Sequence, residues 1–451
     1  MFGWFQPHCP LGTQEKVWVE SRMSWLASAL GGQRMLEARV IEPTDEFFPD
    51  HYDHTPAAVQ RIFARLLTYM QVDSARVGVV VRDDWTDRDP LGQYHQGQPS
   101  SIELNPSQLQ DPESLVGTLV HELAHEILLG GVLLTENNED LERLTDLLPA
   151  FLGLGIFCAN SAFREKTLRE GRFSWWSVHK QGYLPMRMHA YGLALFAFAR
   201  EETLPRWAEH LRLDIREPMF KGLRFLEKTD DTTLDISGAR RCDELRPLDD
   251  CVEHLGHKSP SFRLLALSCL AEHGPAAALA VEAVARLLHD RDPDIPIAAA
   301  HALASIGPDA AACIPELQSM LASRIDFQRE HAAYALGAIG TNDAGVLDDL
   351  VGRLDDQDRE VAGAAAFALG RCVPGNEQVA RRLLPAFEEA LCKCDYPRIS
   401  LIAAALHATS ADPRALVHEH IQHLGADIAE FADDSLNEAA GETKSAEGDA
   451  E

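Results

Sequence analysis

Apolar residues recur at a fixed step of 33 along the C-terminal half of the chain. One leucine ladder keeps this step, and a glycine follows three of its members at a constant distance: Leu270, Leu303, Leu336 and Leu369, with Gly274, Gly307 and Gly340. Two further leucine ladders hold the same period: Leu288, Leu321 and Leu354, then Leu317, Leu350 and Leu383. Two apolar stripes per repeat, with a glycine closing the first helix, predict stacked helix pairs over residues 259–424.

The repeated segments resemble the short bacterial HEAT-like repeat. The resemblance rests on residues 299–307 and 332–340, which share alanines, a leucine and a closing glycine, and on the acidic turns 290–294 and 355–359. It implies a right-handed α-solenoid that contacts other proteins, capped by a fifth unit around residues 402–408. Ankyrin repeats share the period, but their Thr-Pro-Leu-His signature is absent. A helical bundle without a binding role stays open as the alternative.

The N-terminal part of the chain has a mixed pattern. Apolar residues every three to four positions predict amphipathic helices at 15–30 and 57–70. Short runs of β-forming residues predict strands at 37–41, 76–81 and 101–104. The segments between them, including the stretch before the last strand, are rich in Asp, Gly, Pro and Gln and are predicted to be loops.

The pattern turns helical after Asp111 and stays so to about residue 200. Together these elements predict an α+β domain over residues 1–210, followed by a connector over 211–258. The final stretch, 425–451, is small, polar and acidic, and we predict a disordered tail there because it offers little apolar surface to bury.

The predicted helix that follows Asp111 contains the sequence His-Glu-Leu-Ala-His at 121–125. Two histidines four positions apart lie on one face of a helix, about 6 Å apart along its axis, so both imidazoles can reach one metal ion. Glu122 follows the first histidine, where its carboxylate can take a proton from a water bound to that metal.

A zinc site with two histidines needs a third protein ligand and an open fourth position. Glu142 lies 17 positions after His125, beyond a glycine turn, so a second antiparallel helix can present it to the same metal. Asp146 is one helical turn further on, where its carboxylate can accept the outer N–H of a liganding imidazole. Glu136 and Glu139 compete for the ligand position, but neither has an Asp four residues later.

Residues 100–157 resemble the gluzincin metallopeptidases. The residues that carry the resemblance are His121, Glu122 and His125, then Glu142 with a Thr-Asp pair three and four positions later. It implies a zincin-like fold for the first domain, zinc as cofactor, hydrolysis of peptide bonds, and an edge strand at 101–104 that pairs with an extended substrate. The metzincin pattern fails, because glycine and a third histidine are missing at the required positions.

A peptidase of this kind needs a donor for the oxyanion of the tetrahedral intermediate. The resemblance implies a tyrosine or histidine from further along the chain. The segment 181–191 offers Tyr183, His189 and Tyr191, of which Tyr183 follows a glycine turn. None of the three stands in a recognisable motif.

The charge balance excludes several classes of partner. The chain has 41 Lys+Arg and 70 Asp+Glu, so its formal net charge is 41 − 70 = −29. This acidity argues against nucleic acid and against an anionic membrane surface. No secretory signal or long unbroken apolar segment is evident, and nine cysteines lack a framework spacing, which together predict free thiols and a cytoplasmic location.

These observations predict a cytoplasmic zinc metallopeptidase whose solenoid binds a protein partner or substrate. The alternative is a scaffold without catalysis, in which the solenoid binds partners and the N-terminal domain is a structural metal domain.

Overall fold

The computed structural model describes residues 7–86, 89–161, 184–237 and 247–448. The chain divides into two compact units, residues 1–244 and 245–451. The predicted connector over 211–258 contains the division between these units.

The first unit is mostly helical. Its labelled helices are α1 (Thr13–Leu30), α2 (Gly32–Leu36), α3 (Pro56–Met70), α4 (Pro112–His125), α5 (Leu141–Phe151), α6 (Met186–Ala199) and α7 (Leu213–Thr229). A π turn over Glu126–Gly130 extends α4, and short 3₁₀ turns lie at Pro106–Gln110 and Arg206–His210. The helices predicted at 15–30 and 57–70 are present, and the stretch predicted to be helical from Asp111 to about residue 200 contains α4, α5 and α6 within its described part.

A small mixed sheet completes the first unit. Its strands are β1 (Val77–Val81), β2 (Gly92–His95) and β3 (Ser100–Leu104). The order is β1-β3-β2, with β3 parallel to β1 and antiparallel to β2. The predicted strand at 101–104 is thus the central strand, not the edge strand, and β2 forms that edge. The prediction failed because β2 lies inside a segment whose Asp, Gly and Pro content indicated a loop.

The segment 37–41 was predicted as a strand and has no strand structure. Its backbone instead serves neighbouring elements: the Ile41 amide donates to Gly153 O, and Arg200 donates to Ala38 O. One apolar core, with Ile102, Leu119 and Leu147 fully buried in it, joins the sheet to the helices around α4. This core fixes α4 and α5 side by side.

The second unit begins with a short helix and continues as helix pairs. Its helices are α8 (Leu248–His254), α9 (Pro260–His273), α10 (Val281–Leu287), α11 (Asp294–Ile306), α12 (Ile314–Met320), α13 (Asp326–Ile339), α14 (Ala344–Arg353), α15 (Arg359–Cys372), α16 (Glu377–Lys393), α17 (Tyr396–Thr409), α18 (Pro413–His420) and α19 (Ala426–Gly448). The leucines of the first ladder are fully buried at 0% exposure. The 33-residue period therefore is the period of the core.

Glycines end the first helix of three successive pairs. Gly274, Gly307 and Gly340 have φ of 55°, 77° and 79°, a backbone region that suits glycine because it lacks Cβ. A glycine also permits close packing between repeats: a Cβ on Gly337 would lie 2.7 Å from the Cα of Ala368. The helices α13 and α15 thus approach each other almost backbone to backbone.

The C-terminal stretch differs from the predicted disordered tail. Residues 426–448 form α19, and Ala432, Leu436 and Ala439 are buried. His407 contacts the carbonyl oxygen of Leu436 at 2.8 Å, which ties α19 to α17. The prediction weighed overall composition and missed that the few apolar residues recur at helical spacing, so that they can cover the last helix pair.

Two stretches of the second unit are long and apolar enough to cross a membrane by length and composition, Pro260–Leu287 and Asp294–Met320. Each consists of an α-helix, a 3₁₀ turn that begins at a glycine, and a second α-helix. Both belong to the repeat array, where such helices supply the core. Of each apolar window, 44% is buried within the protein.

Candidate metal centre

The two histidines of the motif lie on successive turns of α4. Asp111 caps this helix by accepting a hydrogen bond from the Ser114 amide at 3.1 Å, and Pro112 occupies its first turn. The imidazole rings of His121 and His125 are 5.1 Å apart between centroids and nearly perpendicular. The helix therefore presents both rings on one face, as the spacing predicted.

The carboxylate of Glu142 faces both imidazoles from the first turn of α5. Its oxygens lie 3.6 Å from His121 Nε2 and 3.6 Å from His125 Nε2, and all three ligand atoms are within 4.8 Å of one another. In a tetrahedral zinc site with bonds of about 2.0–2.1 Å, neighbouring ligand atoms are about 3.4 Å apart. Each imidazole nitrogen is thus within a few tenths of an ångström of that separation from one oxygen of Glu142.

The far nitrogen of each imidazole already has a partner. Asp146 Oδ1 lies 2.9 Å from His121 Nδ1, and the other oxygen of Asp146 accepts the Leu184 amide at 2.9 Å. The Thr145 hydroxyl lies 3.4 Å from His125 Nδ1 and donates to Leu141 O at 2.8 Å, which leaves its oxygen as an acceptor for the ring. Both rings are thereby oriented with Nε2 toward Glu142, the arrangement that metal-binding histidines use.

The charges of the centre favour a cation. Burial by itself would lower the pKa of His121, but Asp146 and Glu142 raise it well above its usual value. Burial and the nearby His121 lower the pKa of His125 to about 4. The two carboxylates therefore favour positive charge between them, which a divalent ion bound by neutral imidazoles would supply.

Glu122 lies against the edge strand β2, and its charge acts on the neighbouring imidazole of His121. It is 6% exposed, and a Cβ on Gly92 of β2 would lie 3.1 Å from Glu122 Oε1 and 2.5 Å from Thr118 Cγ2. Only a residue without a side chain lets β2 pass this close to α4. The carboxylate is thus enclosed between α4 and the edge strand β2, beside the candidate metal ligands.

Tyr94 is a residue of the site that the sequence analysis missed. Its ring stacks on His125, with centroids 6.0 Å apart and planes 14° apart, and its hydroxyl donates to Glu126 Oε2 at 2.7 Å. Arg76 pairs with the other oxygen of Glu126 at 2.8 Å. Burial raises the pKa of Tyr94 to about 12, and the Glu126 carboxylate adds to the effect. The sequence signal available for this strand was the segment Gly-Gln-Tyr-His at 92–95, which lies between Pro90 and Gly97.

The remaining predicted residues have different fates. Tyr183 lies outside the described residues. His189 is 3% exposed, and its charge interacts with those of Asp146 and His121, so it lies in the core near the ligands and not on an open surface. Burial lowers its pKa. Tyr191 is fully buried and donates to Glu20 at 2.8 Å, which assigns it to the core.

The two competing ligands do not join the centre. Glu136 and Glu139 are both exposed in the turn between α4 and α5. Among the described residues, the group that could hold a metal at this place consists of His121, His125 and Glu142.

The second unit carries an unusual surface on α13 and α15, which we call the aromatic–acidic face. It comprises Phe327, Glu330, Tyr334, Glu360 and Phe367. Phe327 is 59% exposed, and the half-buried rings of Tyr334 and Phe367, one repeat apart, are in contact with centroids 5.4 Å apart. Burial and the charges of Glu360, Asp358 and Asp326 raise the pKa of Glu330 to about 7, and Arg359 pairs with Glu360 at 3.2 Å.

Comparison with known proteins identifies the repeats. A family profile described as HEAT repeats matches residues 248–326 and 284–370, so the second unit contains HEAT repeats, as predicted. Among curated proteins none matches the chain. None of the comparisons supports a metallopeptidase domain in the first unit.

Several solved structures are similar to the chain at low identity. An engineered protein is 21% identical, covering 43% of this chain and 98% of that one, with a TM-score of 0.33. A designed armadillo repeat protein in complex with the peptide (KR)4 is 20% identical, covering 43% and 98%, with a TM-score of 0.33. The karyopherin Kap121p, bound to the extreme C-terminus of the protein phosphatase Cdc14p, is 13% identical, covering 95% and 53%, with a TM-score of 0.33.

Proposed function

We propose that the chain is a zinc-dependent hydrolase of peptide bonds whose HEAT repeats bind a protein. The observation that supports the hydrolase is the set of three ligand atoms on α4 and α5, with both imidazoles oriented from behind. The first unit is accordingly proposed to be a gluzincin-like domain. The cytoplasmic location predicted from the sequence is part of the same proposal.

His121, His125 and Glu142 would hold the zinc ion. Zinc bound there would act as a Lewis acid that lowers the pKa of a water molecule in the open position and polarises the scissile carbonyl. Glu122 takes the proton of the attacking water and passes it to the leaving amine as the C–N bond breaks. Asp146 and Thr145 keep the two imidazoles in the tautomer that presents Nε2.

The strand that would pair with an extended substrate is β2. It forms one of the two edges of the sheet, and its exposed side chains are Gln93 and His95. Because β2 runs directly beside Glu122, a peptide added to that edge would pass close to the general base. This replaces the strand at 101–104 that the sequence favoured.

The test of catalysis is Glu122→Gln, which keeps the size of the side chain and removes the base. We expect zinc content and fold to be retained while cleavage of a mixed peptide library falls by about two to four orders of magnitude. Glu136→Gln, on the exposed turn, is the matched control and should cleave like the parent. Equal cleavage by Glu122→Gln would refute the mechanism.

The alternative is a non-catalytic scaffold, and the family match favours it because the profile covers residues of the second unit alone. In that case the first unit is a structural metal domain. A parent protein that binds zinc at His121 and His125 but cleaves nothing in a broad peptide library would support the scaffold.

For the protein partner of the HEAT repeats, the aromatic–acidic face favours a segment rich in Lys or Arg. Its aromatic rings and carboxylates complement cationic side chains by charge and by cation–π contact. We expect a fluorescent Lys/Arg-rich peptide to bind and an acidic peptide of equal length to fail. Phe327→Ala should weaken this binding, whereas Glu282→Gln, an exposed residue of α10, should leave it unchanged. Equal binding of both peptides would refute this partner.

A further inference from the structure

Two cysteines and a histidine meet at the start of the second unit. Cys251 lies on α8, and Cys269 and His273 lie four residues apart on α9, so both project from one face of that helix. Their three ligand atoms are within 4.8 Å of one another, and the two sulfur atoms are 2.8 Å apart. Cys251 is 1% exposed and Cys269 7%, whereas His273 is half-buried.

The geometry is compatible with a shared metal ion. A disulfide would require about 2.05 Å between the sulfurs. In a tetrahedral site with zinc–sulfur bonds of about 2.3 Å the two sulfurs lie about 3.8 Å apart, which rotation of either side chain about χ1 would provide. The half-buried imidazole of His273 adds a nitrogen ligand, which a disulfide between the two cysteines would not require.

The chemistry of the three donors selects the ion. Thiolate sulfur and imidazole nitrogen are ligands that zinc prefers over hard cations such as magnesium. Two thiolates carry two negative charges, which one Zn²⁺ neutralises, so the burial of both sulfurs is compensated. A tetrahedral zinc ion has four ligands, so the three protein ligands would leave one coordination position for water, on the solvent-exposed side of His273.

A metal ion at this place would attach the short helix α8 to the rest of the repeat array. The short helix α8 has seven residues, and the one buried side chain within it is that of Cys251. Isolated helices below about 12–15 residues are marginal in water, so α8 depends on its attachment to α9. The HEAT profile begins at residue 248, the first residue of α8, which makes this helix the N-terminal end of the repeat array.

We propose that Cys251, Cys269 and His273 bind one zinc ion that fastens α8 to the first HEAT repeat. This ion is separate from the one assigned to His121, His125 and Glu142, and its assignment does not depend on that site.

Cobalt substitution in the full-length protein tests the proposal, because cobalt bound to thiolate gives a charge-transfer absorption in the near ultraviolet that nitrogen and oxygen ligands do not give. We expect this absorption in the parent and in His121→Ala, and its loss in Cys251→Ser and Cys269→Ser. Cys313→Ser is the matched control: its thiol is buried, lies 3.9 Å from Val281 O, and belongs to no metal-binding group among the described residues. Zinc content should fall by one ion per chain in Cys269→Ser and stay unchanged in Cys313→Ser.

A measurement on the parent covers the case in which the serine variants fail to fold. Addition of a strong chelator should make two further thiols reactive, and added zinc should protect them again. Absence of the thiolate–cobalt absorption in the parent, or a parent mass lower by two hydrogens because Cys251 and Cys269 form a disulfide, would overturn the proposal. The proposal would also be overturned if the number of reactive thiols in the parent were the same with and without the chelator.

Discussion

Asp146→Asn changes a single charge and almost no volume, and the contacts of Asp146 allow its effect to be worked out. One carboxylate oxygen lies 2.9 Å from His121 Nδ1 and the other accepts the Leu184 amide at 2.9 Å. Both partners are donors when His121 presents Nε2 to a metal. An asparagine has one oxygen and one NH₂ group, so it can accept from one of these donors and must turn its own donors toward the other.

The cost follows from that mismatch. A buried donor left without an acceptor costs about 1–3 kcal/mol, which corresponds to roughly 5- to 150-fold in an equilibrium constant. Loss of the outer partner of a metal-binding histidine typically weakens metal affinity or activity by about 10- to 100-fold. The two estimates agree, and we expect zinc at the His121 site to bind about 10- to 100-fold more weakly in Asp146→Asn.

Competition with a chromogenic chelator measures this affinity, in full-length protein that carries Cys269→Ser so that the second proposed site is silent. Asp45→Asn makes the same chemical change on an exposed turn of the same unit and should leave zinc affinity as it was. If Asp146→Asn binds zinc as tightly as Asp45→Asn, then His121 is not oriented by Asp146 for metal binding, and the assignment of the centre fails.

Three other outcomes are expected. Gly92→Ala should reduce peptide cleavage while zinc stays bound, because the new Cβ would meet Thr118 and Glu122 side-chain atoms; Gly78→Ala, with open space around it, is the control. Leu336→Ala should lower the free energy of unfolding by about 2–5 kcal/mol in chemical denaturation, whereas Leu279→Ala, 92% exposed, should change it little. Glu330 has a pKa of about 7 when folded, above its unfolded value, so the folded state holds the extra proton and stability falls as pH rises toward 7. Glu330→Gln should therefore flatten the rise in melting temperature between pH 8 and pH 5, and an unchanged profile would contradict this.

The grouping of His121, His125 and Glu142 could be predicted from the sequence because helical geometry fixes it locally. His121 and His125 share a face whatever surrounds the helix, and a turn short enough to bring α5 back beside α4 places Glu142 and Asp146 one helical turn apart on the facing side. The helical repeats could also be predicted from the 33-residue leucine ladder. Each repeat packs mainly on its neighbours, so the same positions are apolar in every repeat.

Elements that form through contacts distant in the chain could not be predicted from the sequence. Tyr94 and β2 owe their place to pairing with β3 and to the missing side chain of Gly92, neither of which alters the loop-like composition of the segment. The helix α19 forms because its scattered apolar residues find the last helix pair to cover, which composition alone does not reveal.

The contact between Gly337 and Ala368 has a consequence for how this repeat array can evolve. Where a glycine in one repeat faces an alanine in the next, the two units are matched as a pair, and the same holds for Gly370, whose added Cβ would lie 3.0 Å from the Cα of Ala405. Duplicating or deleting a whole 33-residue unit keeps every helix in phase, yet it joins surfaces that were shaped for other neighbours. Ala304 occupies the position equivalent to Gly337 in the preceding repeat. In an array with its units reordered, an alanine methyl group such as that of Ala304 could face a backbone that leaves room only for glycine. The order of the repeats is therefore constrained by packing as well as their number.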